Sequence, residues 1–364
     1  MKEQANRYGL LDGIRGVAAL LVMTRHTEMF WGGTLFRSYL AVDLFFILSG
    51  FVIASAYESR LKDGSMTIGG FFVTRVIRLY PVFLLSFLLS LVHIAGVVFL
   101  KHGEQYLTSQ GMTTILLTAF LIPFKLSSGD LFQLNVPYWS LFYEIVINLV
   151  YALLLPVLTR RTLGAILVAL AALISYISVT HHQLNLGFTW GTESVITGLC
   201  RAAFGIFFGV LLFRERGKFA RFVNAAWMPW LALVVSVALL ASPSFGAADG
   251  FFDIFAVVVV FPCTVMVLSQ WRGDSFRKTF VLLGAASYPI YVLHYPLAEI
   301  LRGSASTFIS SHAPASGVIF VLFIFVAAIA VDKFYDRPIR AKLSARFLKK
   351  KSLATAASGV STPA

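Results

Sequence analysis

Charge is scarce in this sequence. Asp, Glu, Lys and Arg together supply 13% of its 364 residues, against about a quarter in a soluble globular domain. An ordinary soluble enzyme is thereby excluded. Cysteine is scarcer still. Cys200 and Cys263 are the two present, each inside an apolar run and without metal or redox spacing, so they read as packing residues rather than a disulfide framework or a zinc site. No secretory signal pattern is expected at the start, because Asp12 and Arg15 interrupt the first apolar run. No internal repeat is visible, which disfavours a transporter built from inverted halves.

Long apolar runs take the place of charge. Hydrophobic residues make up 58% of the chain, and mean hydropathy is +0.81. Eleven apolar segments stand out: 10–27, 39–56, 80–100, 113–124, 137–158, 163–179, 192–213, 228–241, 251–271, 280–301 and 315–331. The fourth holds about twelve residues, too few to cross a hydrocarbon core of about 30 Å. Leaving it out gives an all-α polytopic membrane bundle of about ten transmembrane helices, with both termini on one side.

Lysine and arginine test that arrangement, since they concentrate on the cytoplasmic side of a membrane protein. With ten spans, 23 of the 30 Lys and Arg fall in loops and tail on the side of the termini. Arg37, Lys101, Lys125 and Arg302 fall opposite, and Arg15, Arg25 and Arg201 lie within spans. Both termini are therefore expected to be cytoplasmic. The same placement assigns the net charge of +13 to membrane topology and not to nucleic acid. All six tryptophans lie at or just beyond segment ends, where an interfacial aromatic belt belongs.

Ionisable groups inside spans are costly and mark candidate sites. In RGVAALLVMTRH, Arg15 and His26 are eleven residues apart, about three helical turns or 16 Å, and share a face. Arg75 and Arg78, in TRVIRLYP, share a face just before the third span, with Pro81 fit for that helix's first turn. Asp43 stands near the outer start of the second span, free to pair with Arg25 or Arg37, and Ser49-Gly50 reads as a close-packing site. Ser140, Glu144 and Asn148 recur four apart on the fifth span, and Ser287, Tyr291 and His294 share a face of the tenth. Glu193 and Arg201 read as a structural ion pair. Each has a bland alternative, such as topology anchoring for Arg75 and Arg78 or helix packing for His294. Together, arginines gather inward and His and carboxylate groups outward, as a reaction bridging two faces would need.

These stretches resemble the acyltransferase-3 family, multi-span bacterial proteins that O-acetylate surface glycans and some glycosides. The resemblance runs from Arg15 to Arg340 through RGVAALLVMTRH, VDLFFILSGFVIA, TRVIRLYP, YWSLFYEI, LGAASYPIYVLHYPL and YDRPIR. It implies a transmembrane acyltransferase domain over 1–340 in a bacterial inner membrane; residues 341–364 are expected to form a basic cytoplasmic tail, disordered by its small, polar composition after Lys351. His26 is then the implied catalytic residue, with Glu144 or Asp43 orienting it. Arg15, Arg75 and Arg78 are implied on the acyl-CoA side, and Trp139, Ser140, Tyr291 and His294 fall in matching substrate-binding motifs.

The expected activity is transfer of an acyl group, acetyl in the first instance, from cytoplasmic acyl-CoA to a hydroxyl of a glycan or glycosylated lipid. Paired guanidinium groups suit CoA phosphates, and imidazole suits a general base near neutral pH. No strained Ser or Cys nucleophile pattern appears, so direct transfer is expected over an acyl-enzyme. No bound cofactor or metal is expected, acyl-CoA being a substrate. The second reading is a transporter or flippase of a polar glycolipid.

Overall fold

The computed structural model describes residues 8–348, apart from 102, 126–128, 221–222, 224, 272 and 274–275. The helices are α1 Gly9–His26, α2 Glu28–Trp31, α3 Ala41–Lys62, α4 Ile68–Lys101, α5 Ser109–Ala119, α6 Tyr138–Leu154 and α7 Arg160–Thr180. They continue as α8 Thr192–Phe219, α9 Met228–Leu240, α10 Asp249–Phe255, α11 Phe261–Gln270, α12 Arg277–Ser311, α13 Ala315–Val331 and α14 Arg337–Phe347. Among the described residues the only β pairing is an isolated bridge between Asp130 and Thr189.

Seven stretches are long and apolar enough to cross a membrane: Phe36–Lys62, Ile68–Leu100, Arg160–Thr180, Thr192–Phe219, Gly246–Gln270, Arg277–Ser311 and Ala315–Phe347. The chain is thus an all-α, multi-pass membrane bundle. Each of the ten expected spans coincides with a helix or helix pair, the other three being α1 and the shorter apolar helices α6 and α9. Helix α1 is 18 residues long and carries Asp12, Arg15 and Arg25, which lowers its apolar character. Helix α5, the fourth apolar segment, has 11 residues and a length of about 16 Å.

Two expectations shift. Helix α4 begins at Ile68, so Pro81 lies in its interior and not in its first turn. The missing N–H costs one helical hydrogen bond, which a long packed membrane helix tolerates. The tail boundary expected at 341 falls inside α14, which runs to Phe347; positions 349–364 lie outside the described residues.

Glycines set how closely the site-bearing helices approach. A Cβ at Gly16 would strike the backbone of Leu283 at 2.6 Å, so α1 lies backbone to backbone along α12. Gly50 and Gly209 do the same between α3 and α8, meeting the carbonyls of Ile206 and Ile47. Small residues at such crossings are how helices associate without a hydrophobic driving force in lipid. Gly50 is therefore a packing position, as its sequence context suggests. Of the cysteines, Cys200 is buried and Cys263 exposed.

Candidate functional site

The close α1–α12 pair carries polar side chains near each of its ends. Near one end, Arg15 donates from Nε to Ser287 Oγ at 3.0 Å, and from Nη2 to Asp12 at 2.9 Å and the Gly284 carbonyl at 3.3 Å. At the other end, the His26 ring lies 5.3 Å from His294 and 5.6 Å from Tyr295, centroid to centroid. His294 is fully buried. Its Nδ1 stands 3.0 Å from the Ile290 carbonyl, which makes Nδ1 the protonated nitrogen, and its buried Nε2 has no hydrogen-bond partner among the described residues.

Two cavities follow these two ends. An arginine cavity of about 140 Å³ is lined by Arg15, Arg75, Arg78, Ser140, Glu144 and Ser287, with Phe45, Phe46 and Leu141 among its apolar walls. A histidine cavity of about 350 Å³ is lined by His26, Arg25, Tyr39, Trp139, Asn185 and Arg201 among others. Val42 and Tyr291 line both. Helices α1, α3, α6 and α12 each contribute to the arrangement: Arg15 and His26 from α1, Val42 from α3, Trp139 and Glu144 from α6, Ser287 and Tyr291 from α12.

The two carboxylates expected beside His26 are committed elsewhere. Asp43 is held bidentately by Arg201, at 2.9 and 2.6 Å, with both side chains only 1% exposed. Arg201 also donates to the Leu186 carbonyl at 2.6 Å and lies over the Trp139 ring. Asp43 thus pairs with neither Arg25 nor Arg37, and it fixes the wall of the histidine cavity. Glu144 lies in the arginine cavity, accepting from Arg75 Nη2 and Ser49 Oγ, each at 2.6 Å. A charge removed from water must be paired, and the nearest guanidinium wins. The expected Glu193–Arg201 pair is replaced accordingly, with Glu193 meeting His181 at 2.5 Å.

The remaining candidates divide between the cavities. Arg75 is buried and its Nε has no partner among the described residues. Arg78 is more open, 3.6 Å from Asp336 and over the Tyr288 ring. Ser140 and Tyr291 bond to each other at 2.6 Å, and Trp139 is buried in the bundle and not at an interface. Asn148 is buried with neither amide atom partnered among the described residues, and so leaves the stripe at Glu144. Ser49, read with Gly50 as a close-packing site, also donates to Glu144, a role its apolar run did not reveal. Arg37, read as an outer loop charge and a partner open to Asp43, is instead fully buried against Asp249 and Asp253. Asp253 in turn accepts from Tyr39 at 2.6 Å, a residue of the histidine cavity. Two aspartates four apart at the head of an apolar helix were the available signal.

A family model described as an acyltransferase domain matches residues 8–331 of the chain, taking in both cavities. The chain belongs to the acyltransferase-3 family. It is accordingly an acyl-transferring enzyme, which displaces the transporter reading. A Rhizobium radiobacter protein named "Protein 2 in picA locus" is 43% identical over 155 residues, covering 40% of this chain and 81% of that protein. A Staphylococcus aureus protein named as a candidate O-acetyltransferase is 22% identical over 91% of this chain. This chain spans 57% of that relative's length. A Bacillus subtilis protein named as a candidate peptidoglycan O-acetyltransferase is 37% identical over 82 residues, 22% of this chain and 12% of that protein. No solved structure matches the chain. These relatives are bacterial, and with the long apolar helices they make this acyltransferase a bacterial multi-pass membrane protein.

Proposed function

We propose that this acyltransferase moves an acyl group from cytoplasmic acyl-CoA to a hydroxyl of a surface glycan or glycosylated lipid on the other side of the inner membrane, through ten spans with both termini cytoplasmic. The observation that carries the reading is the pair of back-to-back cavities, one basic and one holding His26, meeting at Val42 and Tyr291. The names of the Staphylococcus and Bacillus relatives support O-acetylation, and the Bacillus name supports a cell-surface polymer as acceptor.

Each cavity has a task on this reading. Arg78, the more open guanidinium, receives the CoA phosphates with help from Arg75, whose buried Nε has no partner among the described residues. Arg15, tied to Ser287 and Asp12, lines the way inward for the pantetheine arm. His26 takes the proton of the acceptor hydroxyl. The oxygen then attacks the thioester carbon, the C–S bond breaks, and the proton passes to the departing CoA sulfur. The neighbouring imidazole of His294, not a carboxylate, is the group best placed to orient His26. In the cavity around them, Tyr39 and Trp139 offer faces and Asn185 polar contacts, a combination suited to a sugar.

Membranes carrying the protein, given labelled acetyl-CoA and cell-surface glycan, should yield labelled ester that mild base releases. Glycans from cells lacking the gene should lack the mass of that acetyl group. Unaltered glycan esters in the deletion strain, together with no label transfer in membranes, would remove this reading.

A further inference from the structure

The two cavities share two lining residues. Val42 on α3 and Tyr291 on α12 are the two residues whose side chains line both spaces, and each is nearly fully buried. Tyr291 is not free to swing: its hydroxyl lies 2.6 Å from Ser140 Oγ and 3.3 Å from the Pro137 carbonyl. Phe45 stands edge-on to its ring at 5.6 Å. The arginine cavity therefore changes character along its length. Guanidinium groups lie at one end, and Val42, Phe45 and Tyr291 form an apolar wall at the other.

A donor whose phosphates rest on the arginines, and whose carbonyl is attacked from the His26 side, must bring its thioester to this wall. The part of the donor that then presses on the wall is the acyl chain. We infer that Val42 and Phe45, with Tyr291 pinned by Ser140, form a gauge that limits the acyl group to two or so carbons. The inference rests on the proposed acyl-CoA reading and adds to it the residues that choose among acyl-CoA esters. A rigid wall discriminates by volume, because protein interiors are close-packed and an added methylene must displace something.

The test compares acetyl-, propionyl- and butyryl-CoA as donors in membranes holding the wild type, Val42→Ala or Val42→Leu, and reads kcat/KM for each. Ratios between donors within one preparation cancel any difference in the amount of folded protein. The wild type should lose activity with each added carbon. Val42→Ala should raise the propionyl-to-acetyl ratio about tenfold or more, the usual range for one methylene in a fitted pocket, and Val42→Leu should lower it. Unchanged ratios in both variants, with acetyl transfer retained, would overturn the gauge and leave the acyl-CoA reading intact. No transfer from any of the three donors by the wild type would overturn both.

Discussion

His26 and Asp43 illustrate two uses of an ionisable side chain inside a membrane protein. His26 is half-buried in a cavity wall, beside another imidazole, and its ring is free to meet a ligand. Asp43 is sealed against Arg201, and its value is to hold α3 and α8 in register under Trp139. Replacement should separate the two roles. His26→Ala should cut acyl transfer by roughly 10²–10⁴-fold, the usual contribution of a general base, while membrane-inserted protein is recovered in normal amount. Transfer at the wild-type rate would end the assignment. Asp43→Asn leaves a buried guanidinium uncompensated, which costs about 3–5 kcal/mol. The purified variant should melt well below the wild type in detergent, and replacing both partners with apolar residues of similar size should recover much of the loss. Equal melting of Asp43→Asn and wild type would show that the pair is not what holds the helices.

At the scale of the element, α4 brings two arginines to one face, three residues apart, yet gives them different surroundings. Arg75 is engaged by Glu144 and Arg78 looks towards Asp336. Arg78→Gln should therefore raise the KM for acyl-CoA with little change in kcat, by the order of 1.5–3 kcal/mol for a lost charge-assisted bond, or at least about tenfold. Arg75→Gln also strands Glu144 and should lower kcat as well. Lysine at 78 restores charge but not the fork geometry and should rescue partly. Full rescue by lysine would return Arg78 to the role of topology anchor.

What sequence could and could not reveal follows from the same element. Helical period tells which residues share a face, so Arg15 with His26, Arg75 with Arg78, and Ser287 with Tyr291 were all legible, as were the helices themselves. Period does not say which helix stands opposite. Glu144 was expected to serve His26, and its true partner lies 69 positions earlier on α4. Arg37 was counted among the loop charges, though aspartates 212 and 216 positions away bury it. Long-range choices of this kind depend on how deeply each helix sits and on where glycines let backbones touch.

For the whole molecule, the proposed direction of transfer depends on which face each cavity opens to. A basic cavity suits CoA only if it faces the cytoplasm, and the positive-inside distribution of Lys and Arg predicts that it does. Three exposed positions decide the matter. Ser65 lies in the turn between α3 and α4, Ser109 begins α5, and Ala345 is near the end of α14; all three are exposed. One crossing, α4, separates Ser65 from Ser109, so the two must label from opposite sides in any arrangement in which α4 spans. With Cys200 and Cys263 replaced, Ser109→Cys should react with an impermeant thiol reagent in intact cells. Ser65→Cys and Ala345→Cys should react only after the membrane is opened. The inverse pattern would place Arg75 and Arg78 outside, where acyl-CoA is absent, and would require a donor of other chemistry. Labelling of 65 and 345 on different sides would instead make the number of crossings between Ser65 and Ala345, α4 included, odd and not even. The ten-span arrangement would then fail, since α6, α7, α8, α9, the α10–α11 pair, α12 and α13 must together with α4 return the chain to the side it left.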